Sequence, residues 1–356
     1  MDCPVWRAKP TPAACAAAAL GAGLCACLSA FAECRLLQRA ELPVNASRNR
    51  PVIPGTIDGQ AVKILADTGA QTSFVTHAAA KRLMLTELST SGSTRGIGGE
   101  AYLYRTSVKQ LMLDRLSVGR LTLPVVEITG SPDFDMILGE NFFSHWAVEF
   151  DLAHSAIRLF EPKDCHVEQL VYWSKTYSLA ELIASPADSS RIETTVLLNG
   201  NAVRAILDTG AMFSVVSPAA AASAGVTLDS TNVRFVGKLH GVGRNAIDSW
   251  IGTFGSFTIG DETIRNAKLL ISDMNKSNEV MTIRSRIPVP VSMPPMLIGA
   301  DFFLAHRMLI DGPDRKMVFT YLGGPVFDTL HLHPLDPDAA GSNDRPPSEA
   351  PTSSPR

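Results

Sequence analysis

The stretch GQAVKILADTGAQTSFVT at residues 59–76 returns in altered form as GNAVRAILDTGAMFSVVS at residues 200–217. In both copies Asp-Thr-Gly-Ala stands at the same offset from the first Gly, and a Ser follows the Asp by six residues. Two further pairs keep the same order: MILGENFFSHWAVEFD (136–151) with MLIGADFFLAHRMLID (296–311), and RGIGG (95–99) with HGVGR (240–244). Because three landmarks recur in one order, the chain is an internal duplication.

Each copy has the local pattern of a hairpin that leads into a buried strand. Asp58-Gly59 and Asn199-Gly200 are two-residue turn signals, and the short apolar runs that follow predict strands at Ala61–Ala66 and Ala202–Leu207. Each strand would deliver its Asp to the loop at its end. Thr76 and Ser217 fit helix N-caps, so short helices are predicted next; these cover 78–85 and 219–224, and closing strands are predicted at 156–160 and 317–321.

The spacing of these landmarks predicts two homologous, mainly β lobes joined by a connector. The connector holds one predicted helix, near Ser178–Ala184. The last residues are rich in Pro, Ser, Asp and Gly without periodicity, which is typical of a disordered tail. The predicted boundaries are 1–32 for an N-terminal segment, 40–162 for lobe one, 163–189 for the connector, 190–323 for lobe two and 333–356 for the tail.

Composition excludes several classes of function. The 356 residues carry a formal net charge of −3, and there is no run of Lys and Arg, so nucleic acid is not an expected partner. The sequence has no His-Glu-x-x-His stretch and no Gly-x-Ser-x-Gly elbow. No metal or organic cofactor is expected. His145 and His306, beside the paired phenylalanines, are interpreted as half-buried surface residues rather than metal ligands.

The N-terminal segment has the order of a secretory signal peptide. Arg7 and Lys9 precede an uncharged run from Ala13 to Ala32, which ends in the small-x-small pattern Ala30-Phe31-Ala32. An uncleaved membrane anchor is the main alternative, and a lipid anchor near Cys25 fits poorly. Each reading sends the remaining chain across a membrane, so a periplasmic or secreted protein is predicted, membrane-bound only if the segment stays attached.

The cysteines are unevenly placed, since five of the six lie in the first 34 residues. That distribution excludes a zinc or disulfide framework for the body of the protein. A cleaved chain would keep Cys34 and Cys165. The sequence leaves open whether these two pair in an oxidising compartment or remain as thiols.

The two Asp-Thr-Gly loops carry the predicted chemistry. If the lobes pack about an approximate twofold axis, Asp67 and Asp208 meet at that axis. Two carboxyls held so close share one proton, because both cannot easily ionise. The charged one can then take a proton from water while the other donates one to a carbonyl oxygen. Such a pair hydrolyses amides with neither a metal nor a covalent nucleophile.

On these residues the sequence resembles the pepsin and retropepsin superfamily of aspartic peptidases, in a bacterial, two-lobed form. Two kinds of motif carry the resemblance: the Asp-Thr-Gly-Ala loops (67–70 and 208–211) and the apolar-apolar-Gly motifs that end at Gly139 and Gly299. The resemblance implies acid-protease-like β-barrel lobes and the catalytic pair Asp67 and Asp208. The residues it implies for loop support are Thr68, Gly69, Ala70, Thr209, Gly210 and Ala211.

The resemblance also assigns roles outside the two loops. Gly139 and Gly299 would end the loops that brace the catalytic strands, with Asn141 and Asp301 at the polar position that follows. The Gly-rich turns would be tips of hairpin flaps that close over the substrate. The flap candidates are Gly96, Ile97, Gly98, Gly99, Gly241, Val242 and Gly243. The Tyr of pepsin flaps has no counterpart here.

Two departures from the family pattern matter. Retropepsins pair an acidic residue after the loop Ala with an Arg after the bracing Gly, but the matching positions hold Gln71 with Glu140, and Met212 with Ala300. That ion pair is absent from both lobes, so other contacts must join them. Pepsins also place a hydroxyl residue at positions 70 and 211. Its absence predicts a higher upper pKa for the dyad, and activity nearer neutral pH.

The sequence therefore predicts an aspartic endopeptidase that takes an extended protein or peptide substrate. The alternative from another class is a peptide-binding module that has lost turnover on the same fold. A second alternative keeps the chemistry but pairs the lobes between two chains. The connector of about 27 residues is long enough for the lobes of one chain to meet, which favours a monomer.

Overall fold

The computed structural model describes residues 34–96, 99–128, 132–184, 191–239, 245–275, 293–312 and 315–327. The predicted signal segment (1–32) and the predicted tail (333–356) lie outside this part of the chain. These described residues form one compact unit. No helix among the described residues is long and apolar enough to span a membrane.

The described residues of the first half form ten strands and two short helices, with 3-10 turns at Ser47–Asn49, Leu152–His154 and Val167–Leu170. The strands are β1 (Arg35–Pro43), β2 (Val52–Ile57), β3 (Gln60–Ala66), β4 (Phe74–Thr76), β5 (Leu88–Gly96), β6 (Gly99–Leu113), β7 (Leu116–Val126), β8 (Met136–Leu138), β9 (Ala147–Asp151) and β10 (Ala156–Lys163). The helices are α1 (His77–Arg82) and α2 (Glu140–Phe143).

The second half repeats this order. Its strands are β11 (Ser178–Ile183), β12 (Glu193–Leu198), β13 (Asn201–Leu207), β14 (Val215–Val216), β15 (Val233–Leu239), β16 (Ile247–Ile259), β17 (Glu262–Ser272), β18 (Met296–Ile298), β19 (His306–Asp311) and β20 (Lys316–Tyr321). The helices among the described residues are α3 (Pro218–Ser223) and α4 (Ala300–Ala305).

Six strands of each half close into a barrel. In the first half β2 pairs with both β3 and β6, which closes the ring β2-β3-β8-β4-β7-β6 and leaves β5 as the hairpin partner of β6. In the second half β12 pairs with both β13 and β16, which closes β12-β13-β18-β14-β17-β16 and leaves β15 beside β16. The predicted fold class, two homologous and mainly β barrel lobes, is confirmed.

A third layer joins the barrels. Three strands from each half form it, in the order β1-β10-β9 and then β19-β20-β11, and the halves meet where β9 pairs antiparallel with β19. An ion pair crosses this junction from Arg307 to the fully buried Glu149, 2.9 Å between Nη2 and Oε1. The rings of Phe150 and Phe303 also meet across it, with centroids 5.4 Å apart. The predicted closing strands are confirmed as β10 and β20, and they serve this shared sheet.

The local signals in the repeat behave as predicted. Asp58 and Asn199 have φ near +50°, at 49° and 48°, so both turns have the positive φ angles of a tight hairpin. Thr76 and Ser217 cap α1 and α3, because their side-chain oxygens accept hydrogen bonds from Ala79 N and Ala220 N at 3.1 and 3.2 Å.

The helix predicted near Ser178–Ala184 is wrong, since this stretch is strand β11. It pairs with β20 from Ser178 to Glu181, and its last two residues pair with β12. Leu, Ala and Glu favour helix only by tenths of a kcal/mol per residue. The edge of the shared sheet offers a full ladder of backbone hydrogen bonds, which overrides that preference.

The interpretation of His306 is also wrong, because the structure buries it completely. Its ring stacks on Phe302 at 4.0 Å between centroids, and its two nitrogens bond to Phe302 O at 2.7 Å and Glu262 Oε1 at 2.9 Å. The side chain is therefore a satisfied part of the core. His145, by contrast, is exposed.

Cys34 and Cys165 are joined by a disulfide, which settles the alternative that the sequence left open. The bond closes a loop of 131 residues and fastens the start of β1, an edge strand of the shared sheet, to the segment after β10. A long closed loop restricts the unfolded chain strongly, so this bond is expected to stabilise the folded state.

We predict that removing the bond by Cys165→Ser, or by a reductant, lowers the free energy of unfolding by about 2–5 kcal/mol. The measurement is chemical unfolding with and without reductant. Cys34→Ser should match Cys165→Ser, and reductant should leave either variant unchanged. Equal stability of the reduced and oxidised wild type would contradict the prediction.

Candidate active site

Each barrel carries one Asp-Thr-Gly loop at the end of a buried strand. Strand β3 runs into Asp67 and β13 runs into Asp208. Both strands pair in parallel with the short strand of the bracing motif, β8 or β18. The backbone N–H of Asp67 donates to Leu138 O, and that of Asp208 donates to Ile298 O, each at 2.9 Å. The two loops are therefore held in the same way within their own barrels.

The two Asp-Thr-Gly loops contact each other, and the glycine of each lies against the carboxyl of the other. A side chain at Gly69 would overlap the carboxyl carbon of Asp208, and one at Gly210 would overlap the carboxyl carbon of Asp67. Each glycine thus leaves the space that the opposite carboxyl fills. The structure brings Asp67 and Asp208 side by side from opposite halves of one chain.

Reciprocal hydrogen bonds lock this arrangement. Thr68 N–H donates to Thr209 Oγ1 at 3.1 Å, and Thr209 N–H donates to Thr68 Oγ1 at 3.0 Å. Each hydroxyl then donates across the interface to a strand carbonyl, Thr68 to Leu207 O at 2.7 Å and Thr209 to Ala66 O at 2.8 Å. Both threonines are buried, so these bonds meet no competition from water.

The carboxyls have strongly perturbed acidity. Burial, followed by the charge of Asp208, raises the pKa of Asp67 well above its ordinary value. Burial also raises the pKa of Asp208, while hydrogen bonds from Ala211 N, Asp67 and Gly210 N oppose the rise. One oxygen of each Asp accepts two backbone N–H groups, at 2.9 Å in the first loop and 3.0 Å in the second. The pair can therefore hold one proton between two inequivalent carboxyls.

The bracing glycines lie where the family resemblance puts them. A side chain at Gly139 would collide with Ala70 O, and one at Gly299 would collide with the backbone of Phe213. The next residue in each half, Glu140 or Ala300, donates its N–H to the carbonyl of the loop Ala at 2.8 Å. Each bracing motif is thus hydrogen-bonded directly to the Asp-Thr-Gly loop of its own barrel.

A serine network connects each brace to its loop, and sequence reasoning assigned it no role. Ser73 Oγ accepts from Gly139 N at 2.9 Å and donates to Asn141 Oδ1 at 2.8 Å. In the second half Ser214 Oγ accepts from Gly299 N at 2.9 Å and donates to Asp301 Oδ1 at 2.7 Å. The recurrence of Ser six residues after each Asp was the signal that could have revealed it.

A cleft of about 520 Å³ lies over the two carboxyls. One wall is built from the first barrel, by Phe74, Val126 and Phe134, and the other from the second barrel, by Phe213, Val215 and Leu270. The remaining walls are also largely apolar. A cleft of this shape can enclose an extended peptide with apolar side chains beside the carboxyls.

The flap candidates are only partly described. Gly96 pairs with Gly99 at the end of the β5–β6 hairpin, which agrees with a hairpin tip there. Ile97, Gly98, Gly241, Val242 and Gly243 lie outside the described residues. Thr94 on β5 and Leu239 at the end of β15 both line the cleft, so both hairpins rise from its rim.

Two arginines in the cleft also escaped the sequence reasoning. Arg50 and Arg191 line it together with the two Asp residues. Each stands 17 residues before its Asp, one in each half. A comparison of the repeats extended toward the N-terminus would have found them.

Glu140 is a buried carboxyl beside the first loop, and its Oε2 has no hydrogen-bond partner in the described structure. Burial raises its pKa to about 8. Its counterpart in the second half is the apolar Ala300, so the lobes differ here. Burial also raises the pKa of Asp301, to about 6, and hydrogen bonds from Ser214 and Phe302 N limit that rise.

We predict a pH-dependent stability effect of Glu140→Gln. The folded protein keeps the Glu140 proton up to pH about 8, whereas the unfolded chain releases it near 4.3. Stability therefore falls as pH rises through that window, by up to about 1.4 kcal/mol per pH unit. Melting temperatures should show the variant gaining on the wild type from pH 4.5 to 8, with no further gain above.

Glu161→Gln is the matched control. Arg39 lowers the pKa of this exposed carboxyl, so Glu161 is ionised in both the folded and the unfolded state above a pH of about 5.5. Its effect on the melting temperature should therefore be flat between a pH of about 5.5 and about 8. A Glu140→Gln effect that is equally flat would refute the assignment.

Among the described residues, no group of three or more His, Cys, Asp or Glu side chains is arranged to hold a metal ion. No curated protein matches the chain. The family model for aspartyl proteases matches residues 53–142 and 194–302, more than half of the chain and in two segments that each contain one Asp-Thr-Gly-Ala loop. The resemblance seen in the sequence is confirmed: the chain belongs to the aspartyl protease family.

Proposed function

We propose that this protein is an aspartic endopeptidase in which Asp67 and Asp208 activate water for peptide-bond hydrolysis. The observation that carries the proposal is the buried pair of carboxyls, one from each half, with raised pKa values at the floor of an apolar cleft. The ionised carboxylate accepts a proton from water as the oxygen attacks the peptide carbonyl. The protonated partner donates to the carbonyl oxygen, which gives a tetrahedral gem-diol. As the C–N bond breaks, the carboxyl that took the water proton donates it to the leaving amine, and the other carboxylate takes a proton from a diol hydroxyl, which restores the dyad.

The surrounding residues position this pair. The Thr68–Thr209 bonds hold the loops in register, and the backbone N–H groups of Gly69 and Ala70 orient Oδ1 of Asp67. Gly210 and Ala211 do the same for Asp208. Preorganised donors of this kind need no rearrangement during the reaction.

Assembly and export belong to the same proposal. Both carboxyls come from one chain, which supports a monomeric enzyme. A measured mass of a dimer, together with an activity that falls on dilution, would instead indicate that the lobes pair between two chains. The Cys34–Cys165 disulfide supports a periplasmic or secreted protein, since such bonds persist in oxidising compartments. Cleavage after Ala32 would leave Glu33 as the first residue, and N-terminal sequencing of the exported protein tests that.

We predict that Asp67→Asn and Asp208→Asn each reduce cleavage of a denatured protein by about a thousandfold or more, because neither variant can pair an acid with a base. Cleavage is measured across a broad pH range, with Asp229→Asn, an exposed Asp outside the cleft, as the control. A wild type that binds peptides but cleaves none would favour the peptide-binding module. Asn variants that stay active would exclude this dyad.

We predict that Ala70→Ser moves the pH–rate profile toward acid by roughly half to one unit. The serine hydroxyl would donate to the Asp67 carboxylate, stabilise the charged form and lower the pKa that burial has raised. The measurement is kcat/KM against pH, with Ala70→Gly as a variant that adds no donor. A strongly acidic optimum in the wild type would contradict the reasoning.

A further inference from the structure

Four ionisable side chains are present among the described residues that line the cleft: Asp67, Asp208, Arg50 and Arg191. The two Asp residues share one proton in the proposed mechanism and so carry a single negative charge. The two arginines carry two positive charges. The cleft thus combines an anionic centre and largely apolar walls with one guanidinium group from each half.

The backbone fixes both arginines relative to the dyad. The residue after Arg50 is Pro51, whose carbonyl accepts from Ala66 N at 2.9 Å, and Ala66 directly precedes Asp67. In the second half Ile192 follows Arg191, and its carbonyl accepts from Leu207 N at 2.9 Å, directly before Asp208. Each arginine therefore starts from a backbone position tied to its own catalytic strand.

Arg50 also lies close to the opposite half. Its neighbour Asn49 donates from Nδ2 to Met212 O at 3.2 Å, and Met212 follows the second catalytic loop and lines the cleft. Arg50 is thus placed at the seam between the lobes, on the lining of the cleft.

The side chain of Arg50 is held in place with donors to spare. Nη1 pairs with Asp133 at 2.6 Å, and the guanidinium carbon lies 6.0 Å from the centroid of the Phe134 ring. Nε has no hydrogen-bond partner in the described structure. A guanidinium has five N–H donors in a planar fork, so Asp133 orients the group without exhausting it. The pair is partly exposed, 28% and 37% for the two side chains, so its own stabilisation is small.

We propose that Arg50 and Arg191 are specificity-determining residues that bind carboxylates of Asp or Glu side chains on opposite sides of the scissile bond. The preferred substrate is then an extended peptide with apolar residues at the cleavage point and acidic residues towards both ends. Arginine suits this role because its fork binds a carboxylate with two parallel hydrogen bonds. The inference rests on the proposed function and names its substrate class.

The test uses peptides with one apolar cleavage point and amidated C-termini, which exclude recognition of a terminal carboxylate. One series carries Glu or Gln at successive positions on the N-terminal side, and a second series does so on the C-terminal side. For each enzyme the readout is the ratio of kcat/KM for the Glu peptide to that for its Gln twin. In the wild type this ratio should reach roughly tenfold at one position in each series.

Variants assign each preference to one arginine. Arg50→Gln should bring the ratio to about one in one series and leave it raised in the other, and Arg191→Gln should do the reverse. Arg82→Gln is the matched control. It removes the same charge from an arginine that pairs with Asp135 at 2.8 Å and does not line the cleft, so both ratios should keep their wild-type values.

Arg50→Lys replaces Arg50→Gln as the test variant if the latter does not fold, because it keeps the positive charge and loses the forked guanidinium. Its Glu-to-Gln ratio of kcat/KM should lie between the wild-type value and one. Wild-type ratios near one in both series overturn the proposal. So does a loss with Arg82→Gln as large as that with Arg50→Gln, which would make the effect one of net charge alone.

A binding measurement separates this proposal from the proposed function. The Asp67→Asn, Asp208→Asn double variant, titrated with the Glu and Gln peptides, should bind the Glu peptide roughly tenfold more tightly. If the wild type cleaves no peptide but this preference is present, the enzymatic proposal fails and the carboxylate sites stand. If cleavage is efficient and neither assay shows a preference for the Glu peptide, the enzymatic proposal stands and the proposal of carboxylate sites at Arg50 and Arg191 fails.

Discussion

The reciprocal hydrogen bonds between Thr68 and Thr209 are the contact on which the rest of the site depends. They set the spacing of the two loops, and that spacing leaves room for each carboxyl only because the opposing residue is Gly69 or Gly210. The raised pKa values follow from it, since burial and mutual proximity both act against a second charge. The proton shared by the dyad is thus a consequence of packing.

The two halves retain the same supports for the loops and differ in what surrounds them. Gly139 and Gly299 brace their loops in the same way, and Ser73 and Ser214 bond to them at the same distance. The differences lie one step further out. Glu140 in the first half occupies the position that Ala300 occupies in the second, so only the first half has a buried carboxyl there, and burial raises its pKa to about 8. A duplicated fold can therefore hold the two Asp residues in matching loops while their surroundings differ between the halves.

The family's ion pair is missing from both lobes, and a strand pairing, a different ion pair and a ring contact join the halves in addition to the Thr68–Thr209 bonds. The shared sheet pairs β9 with β19, Arg307 reaches Glu149, and Phe150 packs on Phe303. Residues far apart in sequence make all three. A buried ion pair gives little net stability by itself, so the apolar contacts and the continuous strand ladder contribute most of the cohesion.

The sequence by itself determined the duplication, the paired Asp residues, the hairpin turns and the helix caps, because short-range patterns encode each of them. Tertiary structure alone decided that 178–183 is a strand, that His306 is core and that Cys34 bonds to Cys165. It also decided that Arg50 and Arg191 share a cleft with the dyad. Each of these outcomes depends on partners distant in sequence, and local propensities are too weak to overrule such pairings.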